Sequence, residues 1–165
     1  MRIGAMIGAD GTKDSIDDVV RLGKEIEEAG LEHVWLANIF SFDAITTLAL
    51  IGRETSRVRL GTAVTPTYPR HPGALAQQAM TTAAATTTRF TLGIGLSHQV
   101  VIENMFGMSY DKPAKHMREY LSVLMPLLRG ETASFQGEQY RVQGLTLDIP
   151  GGTDVPVVVA ALGPT

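Results

Sequence analysis

Short apolar runs recur in this chain with a period of about 30 residues, the length of one strand, one helix and their loops. The runs fall at residues 3–7, 33–37, 58–64 and 90–95. Strands and helices alternating in this way build a parallel sheet with helices packed over it, since parallel neighbours need a crossover connection. The intervening segments carry helical period. Ser15 with Asp18 three residues on is a capping signal, and Ile16, Val19, Val20, Gly23 and Ile26 follow at helical spacing up to a stop at Ala29-Gly30. Residues 42–53, rich in Ala, Leu and Ile, read as a second helix. His71-Pro72 opens a third, whose small-residue face (Leu75, Ala76, Ala79, Met80, Ala83) allows close packing on a sheet or on another subunit. In the fourth, Met117, Tyr120, Leu121, Leu124, Leu127 and Leu128 form one stripe that ends at Gly130, with Pro126 expected to distort its last turns.

A fifth strand, at residues 155–161, comes about 60 residues after the fourth, twice the earlier spacing of about 30. The excess is an insertion at residues 131–154. Within it Ser134-Phe135 and residues 139–142 flank Gln136-Gly137-Glu138 and read as a β-hairpin, with loop at residues 144–152. After the fifth strand no helix follows, so an exposed edge is expected there. Two architectures accommodate five parallel strands in a single domain spanning residues 1–165. One is a flavodoxin-like doubly wound sheet, which lacks its covering fifth helix here. The other is a (β/α)8 barrel, which needs about 250 residues, so that this chain would hold strands one to five and helices one to four, truncated before closure.

Composition removes several functions at once. Hydrophobic residues make up 44% and charged residues 19%, the pattern of a well-filled core rather than of a disordered chain. A net charge of −3 supplies no basic footprint for nucleic acid or an anionic membrane. The absence of cysteine excludes a disulfide framework, a thiolate zinc site and a cysteine nucleophile. No apolar run approaches the roughly 18 residues of a membrane span, and the first residues lack the apolar core of a signal peptide. The expectation is a soluble cytoplasmic protein.

Parallel βα folds bind ligands at the carboxyl ends of their strands. Those ends here are glycine-rich or apolar with few polar groups, the texture of a pocket for a large planar cofactor. Gly93-x-Gly95 before Ser97-His98 is a poor match to the dinucleotide fingerprint, because His98 replaces the third glycine. The glycines either let a ligand approach the backbone or ease strand-to-loop packing. The four histidines are too widely spaced for a metal site. His33 reads as structural, His116 as a solvated residue beside Arg118 and Glu119, His71 as a helix cap or a functional group, and His98 as the functional candidate. Tyr68 and Arg70 lie in a proline-stiffened loop that is either a rigid connector or a holder of an anionic or aromatic group. Ser97-His98 lacks the G-x-S-x-G elbow of a hydrolase, and no paired carboxylates point to glycosidase chemistry.

At these residues the chain resembles the bacterial luciferase-like monooxygenase superfamily, and within it the branch of oxidoreductases that use the 5-deazaflavin coenzyme F-420. The resemblance rests on the long motif at residues 60–72 (LGTAVTPTYPRHP) and on residues 89–99 (RFTLGIGLSHQ), with support from residues 117–121 and 160–164. It implies a (β/α)8 barrel, a cofactor pocket at the carboxyl face, and a non-prolyl cis peptide at a bulge in strand three, which falls here on Ala63–Val64. By the same resemblance Asn38, Ala63, Val64 and Thr65 line the cofactor ring. Gly95, Ser97 and His98 approach it from strand four, and Gly163 lies near the phosphate-bearing tail. His98 is the first candidate for the proton donor and Tyr68 the second. Two departures stand out: Asn38-Ile39 replaces the Asp-His pair of some relatives, and Thr87-Thr88 stands where a Gly-Gly turn is common.

The reaction implied is hydride transfer between F-420 and a small organic substrate, with the full-length protein a homodimer. The same-fold alternative is an FMN-dependent monooxygenase using molecular oxygen. The alternative of a different class is a catalytically silent half-barrel that only binds or assembles.

Overall fold

The computed structural model describes residues 3–8 and 15–161. Five parallel segments form the main sheet in the order β1 (Gly4–Ile7), β2 (His33–Leu36), β3 (Arg59–Thr62) and β5 (Phe90–Gly95), with β8 (Val157–Val159) on the far side of β5. A two-residue strand β4 (Thr65–Pro66) also pairs with β5 and prolongs β3 beyond a break. The helices α1 (Ile16–Glu28), α2 (Ala44–Glu54), α3 (Pro72–Ala85) and α4 (Pro113–Leu128) alternate with these strands. This is the βα order of a partial (β/α)8 barrel.

Local chemistry sets the helix ends. Ser15 and Asp18 form a reciprocal capping box on α1, Asp43 caps α2 through the Thr46 N–H, and the His71 imidazole accepts from the Gly73 N–H at the head of α3. His71 therefore has a capping role. Pro113 opens α4 in the first turn, where its missing N–H costs nothing, and the helix continues through Pro126 to Leu128.

Alternate strand residues divide the sheet into two faces. Val34, Leu36, Leu60, Phe90, Leu92 and Ile94 are buried in one cluster with Ile45, Leu48 and Ile51 of α2, Leu75 and Met80 of α3, and Tyr120 and Leu124 of α4. On the other face His33 stacks on Trp35, and the Trp35 ring lies against Gly61, where a Cβ would come within 2.2 Å of it. As expected for an edge, Val158 and Val159 of β8 are 49% and 41% exposed.

The hairpin consists of β6 (Ala133–Gln136) and β7 (Arg141–Leu145), so β7 starts two residues later than the sequence pattern suggests. The cause is Glu119, whose carboxylate accepts the backbone N–H groups of Glu138, Gln139 and Tyr140 and holds them in the turn. The segment after β7 packs on α3: Gly152 lies so close to the Met80 carbonyl that a Cβ would sit 2.4 Å from it. The small face of α3 thus meets the sheet and the insertion. Thr87 and Thr88 adopt φ of 53° and 59°, left-handed values that cost an L-residue about 1–2 kcal/mol each. The strain anticipated for a threonine pair at a glycine position is present.

Candidate active site

The site is organised by a one-residue bulge in the third barrel strand. β3 faces β5 at Leu60–Phe90 and Gly61–Thr91, whereas β4 faces it at Thr65–Ile94 and Pro66–Gly95. Four residues therefore advance on one strand while three advance on its neighbour. Within the bulge the Ala63–Val64 peptide is cis, as the resemblance implied. Three contacts fasten it. The Ala63 N–H donates to the Leu36 carbonyl at 2.9 Å, and the Thr62 hydroxyl donates to the Gly93 carbonyl at 2.7 Å while accepting from the Gly93 N–H at 2.8 Å. One buried hydroxyl thereby substitutes for the ladder bonds that the bulge removes.

The same contacts explain the Gly-x-Gly pair. A Cβ on Gly93 would lie 1.9 Å from the Thr62 carbonyl oxygen, and one on Gly95 would lie 2.6 Å from Val64 Cγ2. The glycines make room for the neighbouring strand, and Gly95 touches the cleft only through Val64.

Beside the bulge opens a cleft of about 340 Å³. Asn38, Ala63, Val64, Ser97 and His98 line it, together with Met6, Phe40 and Phe106, which sequence patterning does not single out. Phe40 is visible only as an exposed aromatic after strand two, and Phe106 follows a π-helical turn (Val101–Met105) that leaves no periodic signal. The Asn38 Oδ1 accepts the Ala44 N–H at 3.1 Å, which directs its NH2 group away from the helix. No hydrogen bond among the described residues engages the His98 imidazole. Thr65 lies behind the lining, fully buried, with its hydroxyl unpaired. Gly163 falls outside the described residues.

A second cleft of about 530 Å³ lies alongside and shares Pro69 and Arg70 with the first. Tyr68 lines this one, apart from His98. Here the solvated placement of His116 is corrected: it is 3% exposed, because the hairpin folds back over the face of α4 that carries it. Its Nε2 lies 3.0 Å from Thr67 Oγ1 and its Nδ1 lies 3.0 Å from Gln139 Oε1. The Gln139 Oε1 acceptor places a proton on Nδ1. Burial lowers the His116 pKa, against the opposing pull of Gln139 and Glu119. Tyr68 stacks on His116 at 3.9 Å between ring centres, and its buried hydroxyl has no partner. Burial, with the nearby Tyr110, Asp111 and Glu103, pushes the Tyr68 phenol up to about 12, which makes it a poor proton donor near neutral pH. Arg70 is paired with Asp43 at 2.6 Å, and its carbonyl accepts from the Tyr120 hydroxyl at 3.0 Å. It is a committed structural cation. Among the described residues no cluster of His, Asp or Glu could hold a metal ion.

The family model of luciferase-like monooxygenases matches residues 1–165. The chain belongs to the luciferase-like monooxygenase family. It is similar to a Mycobacterium tuberculosis protein assigned as a coenzyme F-420-dependent oxidoreductase, at 31% identity over 99% of this chain and 51% of the relative. It is also similar to the 5,10-methylenetetrahydromethanopterin reductase of Archaeoglobus fulgidus, at 29% identity over 86% of this chain and 42% of that protein. Among solved structures, the F-420-dependent tetrahydromethanopterin reductase of Methanopyrus kandleri superposes with a TM-score of 0.84 at 22% identity, over 98% of this chain and 50% of the other. An FMN complex of the oxygenating constituent of 3,6-diketocamphane monooxygenase from Pseudomonas putida gives 0.80 at 16% identity, over 96% and 51%. These likenesses fix the fold. The luciferase-like chain spans about half the length of the curated relatives it matches.

Proposed function

We propose that the bulge cleft receives the deazaflavin ring of coenzyme F-420 and that the protein is an oxidoreductase acting on a small organic substrate. The observation that carries this reading is the lining itself. Apolar walls from Met6, Phe40, Val64 and Phe106 meet the polar side chains of Asn38, Ser97 and His98, which suits a flat heteroaromatic ring with a polar edge. When bound, F-420 supplies two-electron hydride chemistry, because carbon replaces the N5 of a flavin.

In this account the residues of the chain bind, orient and protonate. Val64, carried forward by the bulge, backs the ring plane. The Asn38 amide and the Ser97 hydroxyl offer hydrogen bonds at its edge. The His98 imidazole, which no hydrogen bond among the described residues engages, holds or delivers a proton at the substrate face. Phe40 and Phe106, 6.4 Å apart, keep water from one side of the cleft.

An anaerobic fluorescence titration of the chain with F-420 and, separately, with reduced FMN tests the proposal. Saturable binding of F-420 in preference to FMN is the expected result. Tighter binding of FMN, followed by rapid oxygen consumption once the reduced complex is exposed to air, would replace it with the monooxygenase reading, and no binding of either would leave the chain a silent half-barrel.

A further inference from the structure

We infer that Tyr110 is a positioning residue for the Ser97–His98 edge of the bulge cleft, held in place by a stacked aromatic column that ends on His116. The functional consequence rests on the cofactor reading of that cleft; the geometry stands without it.

The loop leaving β5 turns sharply. Ser97 has φ of 62°, a left-handed value that a residue other than glycine keeps only where its surroundings impose it. The next carbonyl, of His98, accepts the N–H groups of Val101 and Ile102 at 2.9 and 3.0 Å and so starts the π-helical turn. Ile102 is fully buried and anchors that turn, and the Met108 N–H returns to the Ile102 carbonyl at 3.0 Å. The chain then comes back on itself. The Tyr110 hydroxyl donates to the Ser97 carbonyl at 3.2 Å and closes the loop at its base, thirteen residues apart in sequence.

That carbonyl belongs to the same planar peptide as the His98 N–H and ends at the His98 Cα. A donor fixed on it therefore holds the His98 N–Cα bond, and with the His98 carbonyl held by the Val101 and Ile102 N–H groups the direction from which the His98 side chain leaves the backbone is set. Tyr110 is itself fixed. Its ring stacks on Tyr68 at 5.2 Å and 24°, and Tyr68 lies flat on His116 at 3.9 Å and 7°. His116 is pinned on both nitrogens by Thr67 and Gln139. The column runs from the hairpin turn to the cleft edge through ring faces. The unpartnered Tyr68 hydroxyl takes no part, which gives Tyr68 a place in the site that needs no proton transfer.

The test uses the full chain and two variants, Tyr110→Phe and Tyr110→Leu. Expected for Tyr110→Phe are displaced or broadened NMR signals of the His98 amide and imidazole and little change in thermal unfolding. The dissociation constant for F-420 should rise by about three- to tenfold, the worth of one hydrogen bond. Tyr110→Leu, which also removes the stack, should displace the His116 imidazole signals and weaken F-420 further. Unchanged His98 signals in Tyr110→Phe would overturn the inference, as would an affinity loss that merely tracks loss of folded protein. Displaced His98 signals in a chain whose wild type binds no F-420 would uphold the positioning role and sink the cofactor reading instead.

Discussion

The two clefts share a wall at Pro69 and Arg70 yet spend their polar groups in opposite ways. In the aromatic cleft both His116 nitrogens are bonded, the His71 Nδ1 caps α3, Arg70 is paired with Asp43, and Glu119 holds three N–H groups of the hairpin turn. In the bulge cleft the His98 imidazole has no bond among the described residues, and apolar side chains stand exposed around it: Phe40 at 64% and Met6 at 58%. A cluster that pairs its polar groups, here all those named but the Tyr68 hydroxyl, holds a fold together, whereas donors left open beside exposed apolar walls await a ligand. The larger cleft is thus the structural one, and the smaller is the candidate for chemistry.

Substitutions can break or sharpen that contrast. The largest effect is expected from Gly93→Ala, whose Cβ would collide with backbone at the bulge. A loss of about 3 kcal/mol or more in urea unfolding is expected. A tolerated alanine would mean that the bulge is not built as described. His116→Leu leaves the Thr67 hydroxyl and the Gln139 Oε1 without their imidazole partner and should cost about 2–3 kcal/mol in the same assay, whether or not cofactor is present.

Glu119 gives the aromatic side its pH dependence. Burial raises the carboxyl, but the three backbone N–H groups and Lys115 outweigh it and hold it below its ordinary value of 4.5. A depressed folded pKa means stability fully present above pH 4.5 and lost as pH falls through the folded value. Unfolding free energy should therefore decline with acid below that point, and Glu119→Gln should flatten the decline. An equal slope in the variant would remove Glu119 from the account. Tyr68→Phe deletes a buried hydroxyl without a partner while keeping its ring, so stability should hold or rise by up to about 1 kcal/mol. Smallest of all in stability is His98→Ala, within about 0.5 kcal/mol, although F-420 affinity should fall about tenfold if the imidazole addresses the ligand. A strongly destabilised His98→Ala would place that residue on the structural side.

Much of this arrangement was legible in the chain. The 30-residue period carries the strand and helix order, and the capping residues Ser15, Asp43 and His71 stand where helix starts were expected or one residue away. Asn38, Ala63, Val64, Ser97 and His98 came together because strand ends share one face of a parallel sheet. The misses have a common cause in long-range packing. Helical period places His116 and Glu119 on a polar face, and only the return of the hairpin over α4 buries them. Of the two readings open for Gly93 and Gly95, close packing is the one the neighbouring strand requires, and local pattern could not decide because the bulge on that strand is invisible in it. Tyr68 read as the second donor candidate after His98, and the Pro69–Arg70 wall puts the two in different clefts.

The central claim, that the bulge cleft and not the aromatic one takes the cofactor, is tested most directly by a crystal structure of the chain with F-420. The account predicts the deazaflavin ring against Val64, its edge toward Asn38 and Ser97 and one face toward His98. A ring seated between Tyr68 and Tyr140, or density in neither cleft at saturating F-420, would contradict it.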